Sequence, residues 1–419
     1  MTQSRPVLLA WDGVSSLGLN WDAAWQRAVR GESGIGPLTR FPLRPDYPVS
    51  IAGQVNIDPS AIDPCPPCLR PREMAHWKSP VFSYSMLAAY RAIAKSGIVI
   101  TPALSPRVAV TFSTAIGGLD AVVEGDRALV GSNALPLPYM NPNSCVNMIG
   151  GKIGILAGAT GPCVSSVTAC ATGSTSMAMG AMLMDAGRAD VVIAGAGDFP
   201  LIECIVAGFS TMNGAFKPKT EEDAQYPERA SRPFSVDRRG FVISEGAGCV
   251  VMASADFAKA HGLHPSYELA GWSLTSDAHH PVAPHGPTIA ACMAGAITYA
   301  GIRPSAIAAI NAHASSTRLG DKVECDALHD VFGGKVPPVS ANKSQVGHAM
   351  GAASAIESMF ALEGMRNGLL LPTINFKPDP EIDLDIVTTT RAHGDQEYVL
   401  KNAFGFGGTN TCLIFRRLQ

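Results

Sequence analysis

The chain has 419 residues, of which 47% are hydrophobic and 16% charged, and its formal net charge is -3. That composition excludes a disordered chain and suits one large core or two fused ones. Near-neutrality without clustered Lys and Arg gives no electrostatic case for nucleic acid or a membrane surface, which leaves small molecules and proteins as partners.

Short β-branched runs alternate with longer Ala-, Gly- and Met-rich stretches, the pattern of an α/β protein with buried strands. A strand is expected from Val7 to Ala10, an apolar run too brief for a secretory signal, and a helix from Asp22 to Arg30. Cys65-Pro-Pro-Cys68 has the spacing of a redox or zinc half-site, but no second pair completes it, and a proline-stiffened loop is the plainer reading. A helix from Phe82 to Lys95 and a strand from Arg107 to Phe112 follow. The most apolar region, Gly150 to Ala189, is broken by Lys152, Pro162 and many small polar residues. It falls short of the roughly 20 mainly apolar residues of a membrane span and reads as buried helix, clearest from Thr172 to Ala186. Strands are expected at Val191 to Ala194 and Cys249 to Met252. His279, His280 and His285 suggest a metal only weakly, because their segment is Pro-rich and lacks helical spacing. The remaining helices are Pro287 to Ala300, Lys322 to Val331 and Gly351 to Gly364, and the remaining strands Ala308 to Asn311, Lys335 to Ser340 and Thr411 to Phe415. The ten cysteines mostly sit alone in apolar runs, as reduced thiols of a cytoplasmic protein do.

Two stretches read as the same helix start with different reactive heads: Cys170-Ala171-Thr172-Gly173-Ser174-Thr175-Ser176 and His348-Ala349-Met350-Gly351-Ala352-Ala353-Ser354. The repeat extends further, because Glu245-Gly246-Ala247-Gly248 and Phe406-Gly407-Gly408-Thr409 each feed an apolar strand. A boundary near residue 255 is therefore expected, dividing the chain into halves 1–255 and 256–419. If the halves pack about a pseudo-twofold axis, the thiol and the imidazole face one pocket.

At a helix N-terminus, unpaired N–H groups and the dipole favour a thiolate, which predicts a lowered pKa and a nucleophilic role for Cys170. Gly173 predicts the close approach of another segment to that first turn. His313 ends an apolar strand where α/β pockets form, although alone it reads equally as a structural histidine. Lys343 follows a buried strand, so a carboxylate partner is expected, with Glu324 as the candidate.

These residues carry a resemblance that covers almost the whole chain. Thr168-Ala169-Cys170, Ser231-Arg232-Pro233-Phe234, Gly240-Phe241 with Glu245 to Gly248, Asn311-Ala312-His313, Lys343 with Gly347-His348, and Asn402-Ala403-Phe404-Gly405-Phe406-Gly407-Gly408-Thr409-Asn410 stand in one order. The sequence resembles the elongating β-ketoacyl-acyl carrier protein synthases. The resemblance implies an α/β, thiolase-like fold: a duplicated αβαβα arrangement of five layers. It implies a cofactor-free and metal-free decarboxylative condensation in fatty-acid or polyketide/aryl-polyene chain elongation. Cys170 would carry the acyl chain, His313 and His348 would hold the malonyl thioester carbonyl, and the backbone N–H groups of Cys170 and Phe406 would hold the acyl oxyanion. Lys343 would organise the site, Phe404 and Phe406 would gate the acyl channel, Ser315 and Thr317 would bind the pantetheine arm, and Ile116 would floor the pocket. The implied partner is an acyl carrier protein, within a homodimer or a heterodimer with a chain-length-factor-like subunit.

Some positions depart from the family pattern. Ala314-Ser315-Ser316-Thr317 stands where Gly-Thr-Ser-Thr is common, Asp198 where Glu is usual, and Phe216 to Arg229 is longer and more charged. Gly131 to Asn143 lacks the basic residues that meet an acidic carrier, leaving Arg70, Arg72, Lys78, Lys217 and Lys219 as candidates. A thiolase would need a second cysteine in the C-terminal loop, but Cys412 lies within a strand. A non-catalytic chain-length factor or a scaffold would not need Cys170, His313 and His348 together.

Overall fold

Residues 5–55, 62, 65–394 and 396–418 are described by a computed structural model of the chain. Among them, nine strands form one mixed sheet: β1 (Pro6–Val14), β2 (Val108–Ser113), β3 (Val191–Asp198), β4 (Gly246–Ser254), β5 (Tyr267–Ser276), β6 (Ile307–Asn311), β7 (Val339–Ser340), β8 (Tyr398–Gly405) and β9 (Thr409–Arg417). Their order in space is β2-β3-β4-β1-β5-β9-β8-β6-β7. The principal helices are α1 (Trp21–Val29), α2 (Pro80–Ser96), α3 (Asn147–Ala157), α4 (Thr172–Asp185), α5 (Gly286–Ala300), α6 (Arg318–Phe332) and α7 (Gly351–Asn367).

Read outward from the middle, β1-β4-β3-β2 and β5-β9-β8-β6 are the same arrangement. In each, the first strand lies antiparallel to the last, the last antiparallel to the one before it, and that one parallel to the second. A parallel bridge from Val110 to Cys163 stands where β7 joins β6. Among the described residues the strands of the two arrangements pair only at Val7 opposite Glu268 and Leu8 opposite Tyr267.

Helices fill three layers around this doubled sheet. Helices α2 and α3 cover one outer face, α5 and α6 the other, and α4 and α7 lie between. Each interface has its own apolar cluster. Phe82, Leu87, Phe112 and Ile193 pack under α2, Ile289, Met293, Ile310 and Leu328 under α5 and α6, and Met177, Ala181, Ile356 and Phe360 fill the middle. This is the thiolase-like αβαβα fold that the resemblance implies. No helix among the described residues is long and apolar enough to cross a membrane.

All six helices expected from the sequence form, and six of the seven strands form at close to their expected bounds. The run from Lys335 to Ser340 shortens to Val339–Ser340, because Pro337 and Pro338 have no N–H for a ladder. Strands β5 and β8 were not expected, since Glu268, Gly271, Lys401 and Asn402 interrupt their apolar character.

The expected close approach at Gly173 is present. A Cβ there would lie 2.5 Å from the Ala355 backbone nitrogen and 2.6 Å from its Cβ, so α4 and α7 touch backbone to backbone. At the next residue, the Ser174 N–H donates to Ser354 Oγ at 3.0 Å. Substituting Gly173→Ala should destabilise the protein by about 1–3 kcal/mol through overpacking, despite a helix-propensity gain of about 1 kcal/mol. Urea unfolding followed by circular dichroism measures this, and unchanged stability would show that the helices separate freely.

Candidate active site

Strand β3 and helix α4 belong to one half of the sheet and the β8–β9 loop to the other, and all three converge on Cys170. The thiol sits in a single turn of 3-10 helix, Ala169–Ala171, that leads into α4. Ala169 takes φ 47°, a left-handed conformation that costs a non-glycine residue about 1 kcal/mol or more. The elbow is tied down: Thr172 Oγ1 accepts from the Thr168 N–H and donates to the Ala169 carbonyl, while Thr409 Oγ1 donates to the Thr168 carbonyl. Gly405 lies against it, and a Cβ there would come within 2.3 Å of the Thr168 carbonyl oxygen. The Phe406 backbone N–H reaches the thiol.

The expectation of a lowered thiol pKa is reversed. Burial pushes Cys170 up to about 12, outweighing the Lys343 ammonium and the Phe406 N–H, which favour the thiolate. The resting residue is a thiol, because loss of solvent around a sulfur anion exceeds what the nearby positive groups return.

Both histidines are neutral. Burial first, then the Lys343 ammonium, holds His313 and His348 well below the usual imidazole range. Their rings stand 5.7 Å apart, edge to face. His348 Nδ1 accepts the Met350 N–H at 3.2 Å, which places the ring proton on Nε2. Met350 adopts φ 47° to make that contact. His313 Nδ1 is buried without a hydrogen-bond partner, so neither tautomer is locked there.

Lys343 is fully buried, as expected, but its carboxylate is Glu357 rather than Glu324. The Lys343 Nζ lies 2.5 Å from Glu357 Oε1 and donates to the His313 carbonyl at 2.5 Å. Glu324 is occupied by the N–H groups of His313 and Ala314 and by Asn402 Nδ2, all within 2.9 Å. It therefore supports the His313 turn directly, as a carboxylate collecting backbone donors beyond a strand end. Sequence proximity to His313 suggested Glu324. Glu357, on the inner face of α7, carried no such signal.

A cavity of about 680 Å³ joins these groups. Ile116, Cys170, His313, Ser315, Thr317, His348, Phe404 and Phe406 all line it, whereas Lys343 and Glu324 stand behind the wall. Phe404 packs its ring 5.5 Å from that of His313. The hydroxyls of Ser315 and Thr317 are 3.1 Å apart. Of the candidate carrier contacts, Lys217 reaches the rim by donating to Asn213. Arg70, Arg72, Lys78 and Lys219 are exposed and do not line the cavity.

Three side-chain roles are not legible in the sequence, where Asp198 stands only as a departure from the family pattern and His280 only as a weak metal candidate. Asp198 is completely buried and accepts from Thr114 Oγ1 and from the N–H groups of Ala115, Ile116 and Gly351, joining the pocket floor to the start of α7. Burial pushes it up to about 6. Lys401 is buried beside Glu357. His280 lines the pocket with Nδ1 accepting the N–H groups of Val282 and Ala283, and the Pro281 carbonyl of the same loop accepts from Gly407. Cys68 is buried, with a pKa pushed up to about 11 by burial. Among the described residues no group of three His, Cys, Asp or Glu side chains is placed to hold a metal.

The chain matches the family description "Beta-ketoacyl synthase, N-terminal domain" over residues 7–258 and "Beta-ketoacyl synthase, C-terminal domain" over residues 267–377. It is 33% identical over 426 residues to the 3-oxoacyl-(acyl-carrier-protein) synthase 2 of Coxiella burnetii, with 100% of both chains covered. A ketosynthase solved with its type II polyketide acyl carrier protein and bound to a hexaketide superposes with a TM-score of 0.89 at 26% identity, covering 100% of both chains. The ishigamide ketosynthase/chain length factor superposes with a TM-score of 0.88, also at 26% identity and full coverage.

Two outcomes test the electrostatics. Iodoacetamide alkylation of Cys170, followed on its own proteolytic peptide because Cys145, Cys163 and Cys204 are exposed, should keep accelerating between about pH 7 and pH 10, since a raised pKa leaves the thiolate scarce until high pH. A plateau near neutrality would contradict the buried thiol. Replacing Glu357→Gln strands two buried ammonium groups and should cost about 3–5 kcal/mol in denaturant unfolding.

Proposed function

The chain belongs to the β-ketoacyl synthase family, and from that membership and the pocket we propose a decarboxylative Claisen condensation divided between named residues. The enzyme is an acyltransferase that joins an acyl thioester to malonyl-acyl carrier protein, giving 3-oxoacyl-acyl carrier protein. One observation carries the assignment of residues: a buried thiol and two neutral imidazoles line one cavity, with the His348 proton fixed on Nε2.

In the first half-reaction the Cys170 sulfur attacks the acyl thioester of a carrier. The carrier sulfur leaves and finally takes the proton that Cys170 gives up, so a shuttle is needed rather than a consumed base. His313 is the ring available for it, because the His348 lone pair is taken by the Met350 N–H. The transfer is ping-pong.

In the second half-reaction the bond from the malonyl α-carbon to its carboxylate breaks and carbon dioxide leaves. The electron pair forms an enolate whose oxygen faces the histidine N–H donors. Pre-aimed donors stabilise this charge where it develops, each contributing roughly 3–4 kcal/mol. The enolate carbon then attacks the acyl carbonyl on Cys170. The N–H groups of Cys170 and Phe406 hold the resulting oxyanion until it collapses and releases the Cys170 sulfur, which takes up one proton from solvent by way of His313. Ser315 and Thr317 hold the pantetheine arm, Ile116 floors the acyl pocket, and Phe404 and Phe406 control its entrance. Residues 1–255 thus carry the nucleophile and residues 256–419 the histidines. The free thiols suit a cytoplasmic enzyme.

A second chain, whether a copy or the chain-length-factor-like partner of a ketosynthase pair, is suited by an exposed apolar stretch. Leu129, Val130, Leu135 and Leu137 are 49%, 78%, 86% and 66% exposed. Four such side chains within nine residues leave apolar surface that a second chain could cover.

Incubation with an acyl-carrier thioester should shift the intact mass of the protein by one acyl group, and Cys170→Ala should abolish the shift. An adduct that persists in that variant would remove Cys170 from the mechanism. In a Cys170→Gln background, malonyl decarboxylation should fall about 100- to 1,000-fold when His313 or His348 becomes Ala. Full retention would remove the histidines.

A further inference from the structure

Lys401 lies in the middle of β8, opposite Asn311 of β6, and is completely buried. Its three ammonium protons meet three oxygen atoms: Glu357 Oε2 at 2.7 Å, the Asn402 carbonyl at 2.5 Å and the Ala312 carbonyl at 3.5 Å. On the other side of the same carboxylate, Lys343 takes Glu357 Oε1 and the His313 carbonyl. Two ammonium groups therefore share one carboxylate and grip the consecutive carbonyls of Ala312 and His313.

A second buried lysine is costly, and packing alone would be served as well by an apolar chain. The charge count indicates what it does. Lys343, Lys401, Glu357 and Glu324 together sum to zero. Without Lys401 the cluster would be left with net negative charge beside the two histidines, where the enolate must form. The Coulomb influence of Lys401 reaches His313 and His348 as well as Glu357.

Resting on the condensation assigned above, we propose that Lys401 is a positioning residue for the decarboxylation step. Its ammonium orients Glu357, and through it Lys343 on the His313 carbonyl, and keeps the charge around the histidines balanced, so that negative charge can develop on the malonyl oxygen. It does not line the cavity and does not touch substrate.

The test uses the full chain with malonyl-acyl carrier protein. Lys401→Met keeps the volume and removes the charge. It should lower kcat for decarboxylation by at least about tenfold, the equivalent of about 1.4 kcal/mol, with KM for the malonyl carrier changed by less than about twofold. Lys401→Ala leaves a hole four heavy atoms long with the three oxygen atoms at its end, room for an ammonium ion to reach them. Ammonium chloride should restore much of its kcat, and tetramethylammonium, which is too large, should not. A Lys401→Met enzyme within about twofold of the parent kcat overturns the role. So does a Lys401→Ala enzyme that loses thermal stability but shows no ammonium-dependent kcat. A parent protein that decarboxylates no malonyl thioester would instead sink the condensation itself.

Discussion

The backbone contact between α4 and α7 at Gly173 and Ala355 is the constraint from which the site follows. Each helix is the central helix of one half of the sheet, and each follows an elbow that carries a cavity-lining residue of that half, Cys170 or His348. When two such helices meet at a residue without a side chain, their first turns are brought together, and the elbows before them open into one cavity. Any wider spacing would separate thiol from imidazole. The strained backbones at Ala169 and Met350 lie at these two elbows. Strain at such positions persists only where the surrounding structure over-determines it.

Around that contact the protein has arranged groups by how much solvent each can lose. A thiol, two imidazoles, two ammonium groups and three carboxylates share one largely buried region. The neutral forms of the first three follow from burial, while the ions survive by pairing. Asp198 illustrates the balance: four donors compensate a completely buried carboxylate, yet its pKa still stands near 6. Low solvent access weakens the resting nucleophile. It also makes every N–H aimed at a developing oxyanion more effective. A site tuned for a reactive resting thiolate would have to admit water, and water would hydrolyse the bound acyl group.

Much of this was legible in the sequence. The duplicated helix start, the strand ends at Asn311 and Ser340, and the glycine loop after Phe404 are local signals, because each needs particular residues at fixed spacing. What could not be read depended on pairing across the fold. The partner of Lys343 was misassigned because Glu324 lies near His313 in sequence, while Glu357 approaches from a helix that otherwise reads as uniformly buried. Strands β5 and β8 were missed for a related reason: Lys401 and Asn402 break an apolar run because they serve the site rather than the sheet. The thiol pKa was misjudged because a helix terminus is visible in sequence and the depth of burial is not.

The narrow seam between the two sheet halves has a consequence for synthesis. Among the described residues only Val7 and Leu8 of β1 pair with strands of the second half, so the halves are held by the apolar layer between them together with polar contacts such as Arg238 to Asp321 and the Gly351 N–H to Asp198. Until residues 351–367 have left the ribosome, the inner face of the first half lacks the helix that covers it. Met177, Ala181 and Val250 would meanwhile face water, and the nascent N-terminal half is therefore the species that a holding chaperone would meet.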